Sequence, residues 1–138
     1  MCDIKTLNLI PAVMASTRAQ LADCEEAVFH RGEIVTECTH SNIAILKNGI
    51  LITHPLSNTI LPGITRRHLL IACEKLGIPY RERAFTLDEL YSADEIFVTS
   101  TSKLCRTANR VNNIPVGEKD PENASKICNF LYKEYVDF

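Results

Sequence analysis

The sequence has no tryptophan and only two methionines. It also has no apolar run approaching the about 20 residues that span a bilayer as a helix. Its N-terminus lacks the basic stretch followed by an apolar core that marks a secretory leader. Neither sign of charge dominates: 15 lysines and arginines against 17 acidic residues leave a formal charge of −2. That argues against nucleic acid as a partner, because its binders carry a basic face. The six cysteines (Cys2, Cys24, Cys38, Cys73, Cys105 and Cys128) include no CxxC, so metal knuckles and thioredoxin-like chemistry have no support. The four histidines, His30, His40, His54 and His68, fall at no ligand spacing, and no metal site is expected. Scattered cysteines in a chain able to build a core point to free thiols in a reducing, cytoplasmic setting. Internal repeats, low-complexity tracts and linkers are also missing, which suits one domain over residues 1–138.

What is present is ordinary for a globular protein: 138 residues, 46% hydrophobic and 23% charged. The apolar spacing predicts a helix over 11–24, with Val13, Met14, Ala19, Leu21 and Ala22 near one stripe. Short strands are expected over 26–30 and 34–37, broken at Gly32. Strands at 41–46 and 50–53 flank Lys47-Asn48-Gly49, a strong hairpin signal. A helix over 66–76 follows, with Thr65 as its N-cap and Gly77 as its stop. Beyond it the pattern predicts strands at 80–85, 95–99 and 104–111, a short helix over 87–92, a turn at Asn112-Asn113 and a closing helix over 121–135. In that last helix Ile127, Phe130, Leu131 and Tyr135 are expected to face inward. The sum is an α/β mixture.

Four features could carry chemistry. Lys5 lies among Ile4, Leu7, Leu9 and Ile10. An ammonium drawn into an apolar setting loses its charge readily and becomes a nucleophile. Pro62-Gly63-Ile64-Thr65 places a glycine and a hydroxyl at a helix start, where free N–H groups and the helix dipole favour an anion. Thr99-Ser100-Thr101-Ser102 sets four hydroxyls after the apolar run Ile96-Phe97-Val98. Glu37 follows Val35-Thr36, a carboxylate at the end of a strand. Each has a plain structural reading as a terminus, a helix cap, a polar loop or an exposed strand end. Together, a lysine for a Schiff base, a carboxylate for a pyridinium nitrogen and hydroxyls for a phosphate are what pyridoxal phosphate needs. Arg66-Arg67-His68 reads as a solvated basic face at a helix start rather than a nucleic-acid site.

The stretches Asp3-Ile4-Lys5-Thr6-Leu7-Asn8, Val35-Thr36-Glu37, Ser41-Asn42, Asn48-Gly49, Leu61-Pro62-Gly63-Ile64-Thr65-Arg66 and Glu95-Ile96-Phe97-Val98-Thr99-Ser100-Thr101 carry a resemblance. In order and spacing the chain is similar to the C-terminal, larger domain of the class IV (fold type IV) pyridoxal phosphate aminotransferases, and within them to the enzymes for D-amino acids. The resemblance implies a barrel-like sheet with packed helices, pyridoxal phosphate as cofactor, and a homo-oligomer, dimeric in the family. It implies amino acid and 2-oxo acid substrates, with neither a nucleic-acid nor a membrane partner. By resemblance Lys5 is the Schiff-base lysine and Glu37 the partner of the pyridine nitrogen. Leu61 packs on the ring, Ile64, Thr65, Ser100 and Thr101 hold the phosphate, and His40 and Ser41 lie beside the substrate. The family's N-terminal domain, which contributes an arginine to the phosphate and the clamp for the substrate carboxylate, has no counterpart ahead of Lys5. Half an enzyme is therefore expected. Cys38-Thr39-His40 replaces the small Gly/Ser run usual after the glutamate, which leaves transamination of D-amino acids beside a branched-chain aminotransferase or an aminodeoxychorismate lyase, and the missing arginine and clamp add a third alternative, an inactive fragment.

Overall fold

The computed structural model describes residues 10–57, 63–101 and 104–135. Lys5, Leu61 and Ser102 lie outside them. The chain runs α1 (Ile10–Leu21), β1 (Val28–Arg31), β2 (Ile34–Cys38), β3 (Asn42–Lys47), β4 (Ile50–Thr53), α2 (Ile64–Leu76), β5 (Tyr80–Glu82), α3 (Leu87–Ser92), β6 (Glu95–Ser100), β7 (Leu104–Thr107), β8 (Arg110–Val111), β9 (Ile114–Pro115) and α4 (Pro121–Tyr135).

Five strands form one sheet in the order β5-β4-β3-β6-β7. All neighbours are antiparallel except β4 and β5, which are parallel and joined through α2, as a parallel pair requires a crossover. The β3–β4 hairpin turns at Asn48 and Gly49, whose φ values of 52° and 77° are those of the tight turn that matches strand twist. Strands β1-β2 and β8-β9 form separate two-stranded ribbons. Among the described residues the sheet is open, and the expected barrel-like closure is corrected to a five-stranded sheet with two ribbons.

The central strands are apolar on both faces because both are covered. Ala44 and Leu46 of β3, Leu51 of β4 and Phe97 of β6 meet Leu69, Ala72 and Cys73 of α2 and Ile127 and Leu131 of α4. Ile43, Ile45, Ile52 and Ile96 point the other way, toward Val35, Phe85, Leu90 and Val116. Alternation along each strand thus sorts side chains between two cores.

Several boundaries depart from expectation. The strand expected over 80–85 ends at Glu82, and the stretch 104–111 is two strands, not one. Leu104 enters β7 with φ 58°, the Ala108 N–H still follows the β6 register by donating to the Ile96 carbonyl, and from Arg110 the chain pairs instead with Ile114–Pro115 as a separate ribbon. The first helix closes at Leu21, and of its expected stripe only Ala19 is buried, whereas Val13, Met14 and Leu21 are 55%, 56% and 84% exposed. Polar Ser16, Thr17, Arg18 and Gln20 leave no stripe wide enough to cover the sheet. In α4, Ala124, Ile127 and Leu131 are buried and Phe130 is half-buried.

Candidate functional site

The ends of three elements meet at one corner of the sheet. Asn42 opens β3 and is paired across the ladder with Thr99 near the end of β6. By the alternation of β3, Asn42 stands on the same face as Ala44 and Leu46, the face that carries α2. Gly63 begins α2 there. A Cβ added at Gly63 would overlap the Asn42 side-chain oxygen, so any other residue there has to displace the Asn42 amide. Its backbone (φ −64°, ψ 141°) suits any residue.

Gly63 is also the N-cap, a correction to the expected cap at Thr65. Thr65 is the second residue of the helix itself and is buried. The first intrahelical bond runs from Arg67 N–H to the Gly63 carbonyl at 3.2 Å. The N–H groups of Ile64, Thr65 and Arg66 therefore precede the helix ladder, and Gly63 has no side chain to cap them. Ile64 is 71% exposed. Across the corner, Thr99 is buried, Ser100 half-buried and Thr101 exposed.

Arg66 holds this helix start in place. It is buried, not part of a solvated basic face, which corrects the reading of Arg66-Arg67-His68. Its Nη2 donates to the His54 carbonyl at 2.8 Å and to Glu82 Oε1 at 2.9 Å. The guanidinium thereby ties the first turn of α2 to the residue after β4 and the last residue of β5.

Glu37 is half-buried near the end of β2. The chain then reverses over Thr39–Ser41, with Cys38 N–H donating to the Ser41 carbonyl at 2.8 Å. Glu37 is thus separated from Asn42 by one tight turn. That turn is clasped by Glu26. One carboxylate oxygen accepts from the His40 N–H at 2.8 Å and the Thr39 hydroxyl at 3.4 Å, and the other accepts from the Ser41 hydroxyl at 2.7 Å. The His40 ring is exposed, with Nε2 3.3 Å from Ser16 Oγ, and Ser41 is buried.

Of the expected site residues, Ile64 and Thr65 open the helix whose N-cap lies beside Asn42, Ser100 and Thr101 follow Thr99, the ladder partner of Asn42, and His40 and Ser41 lie in the turn that joins Glu37 to Asn42. Three contributors had no assigned role in the sequence reading: Asn42, Glu26 and Arg66. A cavity of about 980 Å³ lies between α1, β1, α3 and the segment 106–113, and among the described residues none of those expected at the site lines it. Among the described residues no group of three metal-ligating side chains is assembled, and no helix is long and apolar enough to cross a membrane.

The chain as a whole is similar to known proteins. The family model described as amino-transferase class IV covers residues 1–111. A D-alanine aminotransferase of Listeria monocytogenes serotype 4b is 42% identical over 137 residues, 98% of this chain and 47% of that protein. The chain therefore spans about half the length of that relative. Among solved structures, a putative 4-amino-4-deoxychorismate lyase from Legionella pneumophila superposes with TM-score 0.90 at 28% identity, covering 96% of this chain and 50% of that one. A branched-chain aminotransferase from Thermoproteus uzoniensis superposes with TM-score 0.85 at 29% identity, covering 91% and 42%. By the family match and the fold alike, the chain belongs to the class IV aminotransferases, a family of pyridoxal phosphate-dependent enzymes.

Proposed function

We propose that the chain is the cofactor-binding half of an aminotransferase that exchanges amino groups between D-amino acids and 2-oxo acids, and that it works as a homo-oligomer in the cytoplasm. The observation that carries the reading is the corner where α2, β3 and β6 meet. An uncapped helix start, a glycine with no room for a Cβ and hydroxyls at a strand end form a cradle for a phosphate. Their donor chemistry fits pyridoxal phosphate. When bound, that group supplies an electron sink for the substrate α-carbon.

The chain's own residues divide the work. The N–H groups of Ile64 and Thr65, with the hydroxyls of Thr65, Ser100 and Thr101, hold the phosphate. By the family resemblance Leu61 would border the ring. Glu37 holds the proton on the pyridine nitrogen and keeps the ring cationic. Lys5 would be the residue that holds the cofactor and the proton exchanged at the substrate α-carbon, a task that suits a lysine neutral enough to act as a base. His40 and Ser41, held by Glu26, border the substrate. Preference for D-amino acids rests on relatives named D-alanine aminotransferase at 42% identity. The branched-chain and lyase readings rest on solved structures at 28–29%, and an inactive half remains the reading if turnover is absent.

The test is a visible spectrum of the chain with added pyridoxal phosphate, then borohydride reduction and peptide mapping. The expected result is an absorbance band with the label on Lys5, followed by turnover of D-alanine. Label spread over Lys47 and Lys103, with none on Lys5, overturns the reading.

A further inference from the structure

Cys105 of β7 and Cys128 of α4 face each other inside the core between the sheet and its helices. Their sulfurs are 3.6 Å apart and share a hydrogen bond, about 1.5 Å short of a disulfide bond. Both are free thiols. They differ in access: Cys105 is 2% exposed, while Cys128 is half-buried on a helix at the surface. They also differ in acidity. The hydrogen bond between the two holds the Cys128 thiol below its ordinary value, overcoming burial, and the same bond together with burial pushes Cys105 up. Cys73, fully buried on α2, is the third thiol of this core. Burial alone pushes it up to about 12.

We propose that Cys105 and Cys128 are a modification site, a dithiol that a low-molecular-weight disulfide oxidises to an intrachain bond. Cys128, the accessible and more acidic member, attacks one sulfur of oxidised glutathione and releases one glutathione thiolate. Cys105 then gives up its proton and attacks the Cys128 sulfur, releasing the second. Two protein thiols are oxidised by two electrons, one disulfide is reduced to two thiols, and no other reactant is needed. The product ties α4 to β7. Cys105 pairs with Thr99, the neighbour of Ser100, so the staple reaches the strand pair that ends in the candidate cradle. The inference does not depend on the proposed activity.

The experiment incubates the full chain with oxidised glutathione, blocks remaining thiols with N-ethylmaleimide and maps the peptides by mass spectrometry. The expected result is one linked pair, Cys105 with Cys128, with Cys2, Cys24, Cys38 and Cys73 alkylated, an upward shift of the unfolding temperature, and reversal by dithiothreitol. Cys128→Ser removes the link and Cys73→Ser leaves it. A stable glutathione adduct on Cys128 without closure overturns the proposal. So does a bond from Cys105 to Cys73, or an unchanged set of thiols. The wild-type map decides the matter even if a variant fails to fold.

Discussion

At Gly63 the backbone angles are ordinary and the space is not. An alanine there must push its methyl into the Asn42 side chain, which is buried at the mouth of β3 opposite Thr99. Overpacking of this kind costs about 1–3 kcal/mol. Gly63→Ala is expected to lose that much in urea unfolding and to weaken phosphate binding more, because the helix start moves with it. Paired with Asn42→Ala, the two changes should cost less than their sum, since the second removes the group the first collides with. A purely additive cycle would show that the contact does not limit the site. Cys73 makes a different residue-scale prediction, through pH. Its thiol is pushed by burial from the ordinary 9.0 to about 12, so between those values the unfolded chain gives up a proton that the folded chain keeps. The unfolded state then binds fewer protons, and stability falls as pH rises. The contribution is whole below pH 9 and is lost on the way to about 12. Urea midpoints followed across that window should fall less steeply in Cys73→Val, with Cys105, pushed the same way, accounting for a remaining slope.

At the scale of elements, α2 is the piece on which the site depends, and Arg66 fixes it. The side chain is 5% exposed and its partner Glu82 43% exposed. Loss of the cation leaves a void and an unmet carbonyl at His54, while Glu82 can return to water. A fully buried pair broken on one side costs 3–5 kcal/mol, so Arg66→Ala is expected to cost about 2–3 kcal/mol here. The unfolding midpoint measures it, and a loss within experimental error would mean that α2 is held by Leu69, Leu70 and Cys73 alone. Much of this layout was legible beforehand. Asn48-Gly49 announced its hairpin, Gly77 stopped α2 with φ 74°, and the apolar runs of β3 and β6 marked buried strands. What was not legible depends on partners distant in sequence. Glu26 meets residues 13 to 15 positions away, and no local period announces such a clasp. Arg66 looked solvated because its acceptors are His54 and Glu82. The split of 104–111 arises because Arg110 and Val111 leave β6 and pair with Ile114 and Pro115, a change of partner that the apolar pattern does not announce. Closure of a sheet is a property of all its edges together, which strand patterns taken singly do not contain. Lys5 and Leu61 were legible as motif members, and they lie outside the described residues.

At the scale of the whole molecule, the sheet is well covered and α1 is not. Both faces of the central strands are sealed, yet α1 buries only Ala19 among its described side chains. Met14 and Leu21 remain 56% and 84% exposed. Seven positions apart, they lie on one side of the helix. Ile64, at the rim of the candidate cradle, is 71% exposed as well. Apolar groups left in water drive association, and in a chain spanning 47% of its Listeria relative these are the surfaces with most to gain from a partner. The purified chain is therefore expected to associate with itself, its sedimentation coefficient rising with concentration. Met14→Glu with Leu21→Glu should return it toward the monomer without changing its far-ultraviolet circular dichroism, because neither side chain is part of a core. If the double variant sediments like the wild type, α1 is not the contact, and Ile64→Glu becomes the informative change. That variant would move association and phosphate binding together if the exposed rim of the cradle were the surface that pairs.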